Sequence, residues 1–306
     1  MPQQFMHLDA AQSAFFQREL LAVQKRVYEQ PFGPLLADEL IPANTSIDPG
    51  AEFYAYDKIT QAGMAQWLAS GATDLPRVAV SKIRVVVPLK SYGASYGWTV
   101  QEIRAAKYAG LPLSDRLART ARRVIDTFRN TKHLLGDTSL GWSSFINDAS
   151  VPVGNAVNGL WQNAATTGDK ILQDINQALT DIRTTTKRAY QADTIVVPPN
   201  AYTKLTTTAR GASTDTTIWQ YFQKNFVGDV QPKLVMLEDL AGIGAGGTDR
   251  MIVYKRDPEV LEAAVPIVYS EEPPDQDGFQ IVISCEGRIG PTVWLVPIAA
   301  KYIDGL

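Results

Sequence analysis

A chain of 306 residues, 45% of them apolar and 20% charged, can fill one large or two ordinary hydrophobic cores, and that composition excludes intrinsic disorder. Its net charge of −3 argues against tight general binding of duplex DNA, and its one cysteine, Cys285, excludes an intrachain disulfide framework and fits a reducing compartment. No run approaches the ~18 apolar residues of a membrane span, no signal-peptide pattern opens the chain, and two histidines, His7 and His133, leave little for a zinc site or a histidine-based triad, so the expected setting is the cytoplasm without a membrane.

Taken in chain order, Asp9 and Gln12 read as a capping pair, and Phe16, Leu20, Val23 and Val27 follow as one helical stripe until Pro31. Residues 31–50 are rich in proline and turn formers, so this helix hangs on an extended arm and must dock elsewhere to hide its stripe. From Ala51 the residues become aromatic and β-branched, in two runs that end near Thr60 and Lys90 and flank a loop holding Gly63, Gly71 and Pro76. That pattern predicts a long two-stranded hairpin. Such a ribbon is marginal alone and must lie on its own domain or on a neighbouring subunit. Its tip carries Met64, Trp67 and Leu68, which favours the neighbour.

The segment Thr99–Asp137 is the spine of the chain. Leu113, Leu117, Ala121, Val124, Ile125 and Phe128 keep one helical phase, Pro112 suits the first turn, and Gly136 suits the C-terminal stop. The implied helix has roughly 22 residues and is about 33 Å long. Arg116, Arg119, Arg122, Arg123, Arg129 and Lys132 make it basic and read as a solvated face.

A long irregular stretch leads to Trp161, after which Ile171, Ile175, Leu179 and Ile182 mark a helix running into the strand around 194–197. A second helix near 202–208, a helix or turn near 218–226, a strand from Lys233 and a glycine-rich end complete a mixed α/β domain. Four strands without a helix then run to the end, which fits α+β rather than a doubly wound fold.

None of the candidate sites carries chemistry. Gly242, Gly244, Gly246 and Gly247 lack the following helix that a phosphate-binding loop needs and read as a flexible surface loop. Glu271, Glu272, Asp275 and Asp277 do not have calcium-loop spacing and read as a solvated hairpin turn. His133 falls near the C-terminus of the spine, where the helix dipole favours a cation, and reads as structural. Cys285 alternates with apolar neighbours and reads as a core residue. Neither enzymatic activity nor a cofactor or metal is expected.

The order of parts, with the texts YGWTVQEIRAAKYAGLPLSDRLARTARRVIDTFRNTKHLLGD, GWSSFINDASVP, ILQDINQALTDI, ADTIVVPPNAYTKL and RIGPTVWLVPIAAKYIDG, resembles the major capsid proteins of tailed bacteriophages, with their Hong-Kong-97-type fold. The resemblance implies an N-arm over residues 1–42, an E-loop over 43–98, a P-domain from 99–150 and 261–306, and an A-domain over 151–260. It implies a virion protein assembled in the host cytoplasm, whose copies form pentamers and hexamers of an icosahedral shell around double-stranded DNA. The contacts expected are the E-loop tip (Met64, Trp67, Leu68) and the N-arm helix (Phe16, Leu20, Val23, Val27), with the spine arginines touching DNA weakly. Further partners implied are a portal protein, a separate scaffolding protein, because no long charged extension precedes the arm, and a decoration or cement protein. Some relatives cross-link an E-loop lysine to an asparagine of the return segment. Here Lys58, Lys82 and Lys90 are available, but no asparagine occurs from Phe226 to Leu306, so no covalent cross-link is expected. The other readings are an encapsulin-like nanocompartment shell and a nucleotide-binding enzyme built on the loop around Gly242.

Overall fold

The computed structural model describes residues 33–62, 79–109, 116–163, 165–211, 215–228 and 230–306. The N-arm stripe of Phe16, Leu20, Val23 and Val27 and the tip residues Met64, Trp67 and Leu68 lie outside the described residues. A four-residue helix, α1 (Ala37–Leu40), and a short strand, β1 (Ala43–Asn44), lead into two ten-residue strands, β2 (Phe53–Ala62) and β3 (Ala79–Pro88). These pair antiparallel from Phe53 opposite Pro88 to Ala62 opposite Ala79, as the aromatic and β-branched runs predict. Among the described residues neither strand joins another sheet.

Buried Leu89 ends the ribbon, and β4 (Lys90–Thr99) turns into a different sheet, pairing along its whole length with β12 (Gln280–Ile289). Glycine permits the close fit of these strands. A Cβ at Gly97 would stand 2.3 Å from the Ile281 carbonyl oxygen, and one at Gly93 2.6 Å from that of Cys285. Thr99 then caps helix α2 (Val100–Ala109) reciprocally with Glu102, whose carboxylate accepts from the Thr99 amide at 2.8 Å.

The spine is helix α3 (Arg116–Leu135), and Gly136 stops it in the left-handed region (φ +72°), as its place in the sequence predicts. Ala121 and Ile125 bury against Tyr92, Ala94, Tyr96, Tyr269, Ile283 and Cys285. The buried row continues at four-residue steps through Arg129 and His133. This corrects the expected stripe, because Leu117, Val124 and Phe128 stay 40–51% exposed. A helix lying on a sheet surface seats one narrow row, and the sequence stripe straddled two.

The second body of the fold is a five-stranded mixed sheet in the order β5 (Val153–Asn155), β14 (Ala300–Asp304), β8 (Arg250–Tyr254), β6 (Thr194–Val197), β7 (Lys233–Met236). Outer pairs β5–β14 and β6–β7 are parallel, inner pairs antiparallel. Alternation splits its residues between two cores. Ile195, Val197, Met251, Val253 and Ile303 face helices α4 (Gly168–Thr185), α5 (Pro199–Thr207) and α6 (Ile218–Asn225). Val196, Ile252, Tyr254 and Tyr302 pack instead with Leu134, Trp142, Phe145 and Trp294. Fully buried on both faces, β6 reads in sequence as an unbroken apolar run.

The four expected C-terminal strands are seven. Pro266 splits one expected strand into β9 (Leu261–Ala264) and β10 (Ile267–Glu271), and Pro297 splits another between β13 (Thr292–Trp294) and β14, each removing an amide donor from a would-be ladder. A short strand, β11 (Asp275–Asp277), lies in the exposed acidic turn and pairs with β12. Residues 90–98 belong to the sheet under the spine, and the last strand completes the mixed sheet.

Candidate functional site

The ribbon β2–β3 is the element whose own fold leaves it unsatisfied. On one face Asp57 bonds Arg84 at 2.9 Å and Lys82 at 2.6 Å, which ties the strands across the ladder and holds the Asp57 carboxyl at about 2. Above and below this polar clamp Phe53, Val80 and Val86 are 55–64% exposed, and on the other face so is Ile83. Such a patchwork of β-branched and aromatic side chains, covered by nothing in the chain's described residues, marks an interaction surface.

The base of the ribbon is fixed firmly. The Tyr54 hydroxyl donates to Glu262, which is buried on β9 and also accepts from the Asn44 side chain at 3.0 Å. Burial and the Glu262 carboxylate together push the Tyr54 phenol upward. The Trp142 indole donates to the Pro88 carbonyl at 3.1 Å, and the Leu89 amide to the Glu52 carbonyl at 2.8 Å. A rigid base with an exposed shaft suits an arm that reaches outward.

The segment 143–151 after the spine is organised by Arg250. Its guanidinium makes a two-pronged pair with Asp304, at 2.6 and 2.9 Å, and donates to the Ile146 carbonyl at 3.0 Å and the Asn147 side chain at 3.1 Å. Both charges are nearly fully buried. Tyr302 completes the cluster, donating to the Phe145 carbonyl at 2.6 Å and lying under Arg250 with 4.9 Å from guanidinium to ring centroid. The cluster was not identified from sequence. An arginine at the start of one strand and an aspartate at the end of another meet only once β8 and β14 pair.

Of the basic residues on the spine, Arg116, Arg119 and Arg122 are exposed and Arg123 is half-buried. Arg122 also lies over the Tyr269 ring at 5.1 Å. Arg129 is corrected from the solvated face to the interior: it is 7% exposed and pairs with Asp38 at 2.7 Å and Asp126 at 3.5 Å. His133 is structural as expected, but not as a dipole-favoured cation. It is 1% exposed, neither ring nitrogen has a partner among the described residues, and burial followed by the charge of Arg129 drops it to about 3. Cys285 is buried in the core and accepts from the Tyr269 hydroxyl at 3.4 Å.

The glycine loop has several of its amides committed within the fold. Gly242 donates to Asp249 at 3.0 Å, Gly244 to the Thr248 carbonyl at 2.7 Å and Ala245 to Asp304 at 2.9 Å, and β8 rather than a helix follows. Glu271, Glu272, Asp275 and Asp277 are exposed. Among the described residues no group of histidine, cysteine or carboxylate side chains could hold a metal, and no helix is long and apolar enough to cross a membrane.

A family model described as major capsid protein matches residues 63–306. Among solved structures, the capsid of the Myoviridae phage XM1 superposes with a TM-score of 0.76 at 18% identity, covering 94% of this chain and 98% of that one. The capsid of an empty GTA particle gives 0.61 at 15% identity over 97% and 99% of the two chains. A virus-like particle from Pyrococcus furiosus gives 0.55 at 12% identity over 87% and 91%. No curated protein sequence matches the chain.

Proposed function

Because this chain belongs to the major capsid protein family, and is therefore a shell-forming protein that assembles in many copies, we propose that it forms pentamers and hexamers of an icosahedral head enclosing double-stranded DNA. The observation that carries the mode of assembly is the ribbon β2–β3, whose strands pair only with each other among the described residues, with Phe53, Val80, Ile83 and Val86 exposed. A projecting element that needs another copy to cover it makes a heterologous contact, and such contacts close into rings when the rotation permits. Assembly in the host cytoplasm, a portal, a separate scaffolding protein, a decoration protein and loose contact with DNA belong to this reading, as does the absence of catalysis. The shell around protein cargo is not favoured, since the family match is to major capsid proteins and the superposition on the virus-like particle is the looser one. The nucleotide-binding reading meets a loop whose Gly242 and Ala245 amides are taken by carboxylates and which a strand rather than a helix follows. Negative-stain microscopy of the purified chain tests the proposal, with closed shells or capsomer rings expected and a monodisperse monomer at all concentrations against it.

Within this proposal the tip residues Met64, Trp67 and Leu68 anchor one copy on the next, and Phe16, Leu20, Val23 and Val27 dock the arm. A large aromatic buried in a partner pocket is worth ~2 kcal/mol or more at an interface. Trp67→Ala is expected to leave the melting temperature of the unassembled chain unchanged while blocking or slowing shell formation, followed by light scattering. Normal assembly kinetics in that variant would count against the anchor.

The shell is also expected to be free of covalent cross-links. An isopeptide bond consumes an amide side chain, and none of the asparagine kind occurs from residue 226 onward. Of the hairpin lysines, Lys82 is already engaged by Asp57 within its own ribbon, at 2.6 Å. Particles boiled in detergent should run as one band at the monomer mass, whereas a ladder surviving boiling and reductant would contradict this.

A further inference from the structure

Helix α4 ends in a hydrogen-bond pattern that ordinarily calls for glycine. The Arg188 amide returns to the Arg183 carbonyl at 2.7 Å and the Lys187 amide to the Thr184 carbonyl at 3.0 Å. The positions after the cap stand in the left-handed region, with φ +53° at Lys187 and +69° at Arg188. Two long cations occupy backbone conformations that L side chains adopt at a cost and glycine does not. Both are exposed.

These cations border two shallow, open recesses. Arg183, Lys187 and Arg188 with Thr184 border a recess of about 570 Å³, and Arg183, Arg188 and Lys255 border an adjoining one of about 270 Å³ with Tyr190, Gln191 and Asp193. Among the described residues Arg183, Lys187 and Arg188 have no carboxylate partner. The nearby acids are engaged elsewhere: Asp193 accepts from Thr194 at 2.9 Å and from the Arg256 amide at 2.8 Å, Asp181 pairs with Lys301, and Asp257 sits 3.3 Å from Lys255. On the spine, by contrast, Arg122 and Arg129 have acidic partners in Asp126 and Asp38. The helix dipole explains one cation near a C-terminus, and it does not require three around one hollow.

We propose that the corner at the end of α4 is a binding site for a compact phosphate-chain anion, held by Arg183, Lys187 and Arg188 with Lys255 at its edge. Guanidinium and ammonium groups converging on a recess match the several oxyanions of a short polyphosphate, and the size of the hollows suits a small ion better than a duplex. The same phosphate chemistry could be offered by a nucleic-acid backbone, and the two sources separate by experiment.

Glycine at 187 and 188 relieves the left-handed conformations while deleting both charges, so the test variant does not risk the fold. Thermal unfolding of the full chain is followed with millimolar tripolyphosphate against sodium chloride of equal ionic strength. The unsubstituted chain is expected to gain several degrees from tripolyphosphate alone, through preferential binding to the folded state. The Lys187→Gly/Arg188→Gly chain should keep or exceed the starting melting temperature and lose that gain, with Arg183→Gln lowering the apparent affinity about tenfold. An absent gain, an equal gain in the glycine variant, or a gain from a DNA duplex but not from tripolyphosphate would each overturn the proposal.

Discussion

Replacing Arg250 with methionine is expected to destabilise the fold by about 3–5 kcal/mol, the usual cost of stripping one partner from a buried ion pair. The substitution leaves the Asp304 carboxylate 2% exposed with only the Ala245 amide to answer it, and leaves the Ile146 carbonyl and the Asn147 side chain without their donor. Burial, the largest single influence, would raise the Asp304 carboxyl, but the Arg250 hydrogen bonds, the Ala245 amide and the Arg250 charge together outweigh it and hold it below the ordinary carboxylate range. Urea unfolding of the unassembled chain measures the effect. Arg250→Met with Asp304→Leu should recover a large part of the loss, because it removes both charges together. A loss under about 1 kcal/mol in the single variant would mean that water reaches the pair and that it does not organise segment 143–151.

The second large effect is a dependence on pH that resides in one side chain. His133 titrates near 3 in the folded chain against 6.5 as a free side chain, so the folded state refuses a proton that the unfolded state accepts. Its contribution is fully present above pH 6.5 and is lost as the pH falls toward 3. Over that window the loss is on the order of 5 kcal/mol. His133→Leu should flatten the stability profile between those limits. It should also add about 1 kcal/mol at neutral pH, because both ring nitrogens are buried without partners and an apolar side chain of similar size has no such deficit. Identical acid limbs in the two chains would place the proton elsewhere.

Periodicity and turn chemistry made much of this protein legible. The ribbon, the spine with its stop at Gly136, the helix through Ile171 and Ile182 and the buried strand at 194–197 each follow from local pattern, since burying an apolar face forces the matching element. The order of those elements carried the resemblance to capsid proteins as well. Prolines at 266 and 297 were visible, yet the segments around them were read as continuous strands, when a residue without an amide breaks the ladder.

The remaining features depend on what meets what in three dimensions. Arg129 and Arg119 look alike in sequence, and only the approach of Asp38 from α1, 91 residues earlier, makes one an interior ion pair and leaves the other in water. Arg250 and Asp304 become a cluster because β8 and β14 pair, and His133 becomes neutral because the sheet and the spine exclude solvent around it. The sequence by itself determined which elements form, because propensity, caps and apolar spacing act within a few residues. The tertiary structure alone decided which charges are buried, because desolvation and pairing are properties of the space between elements.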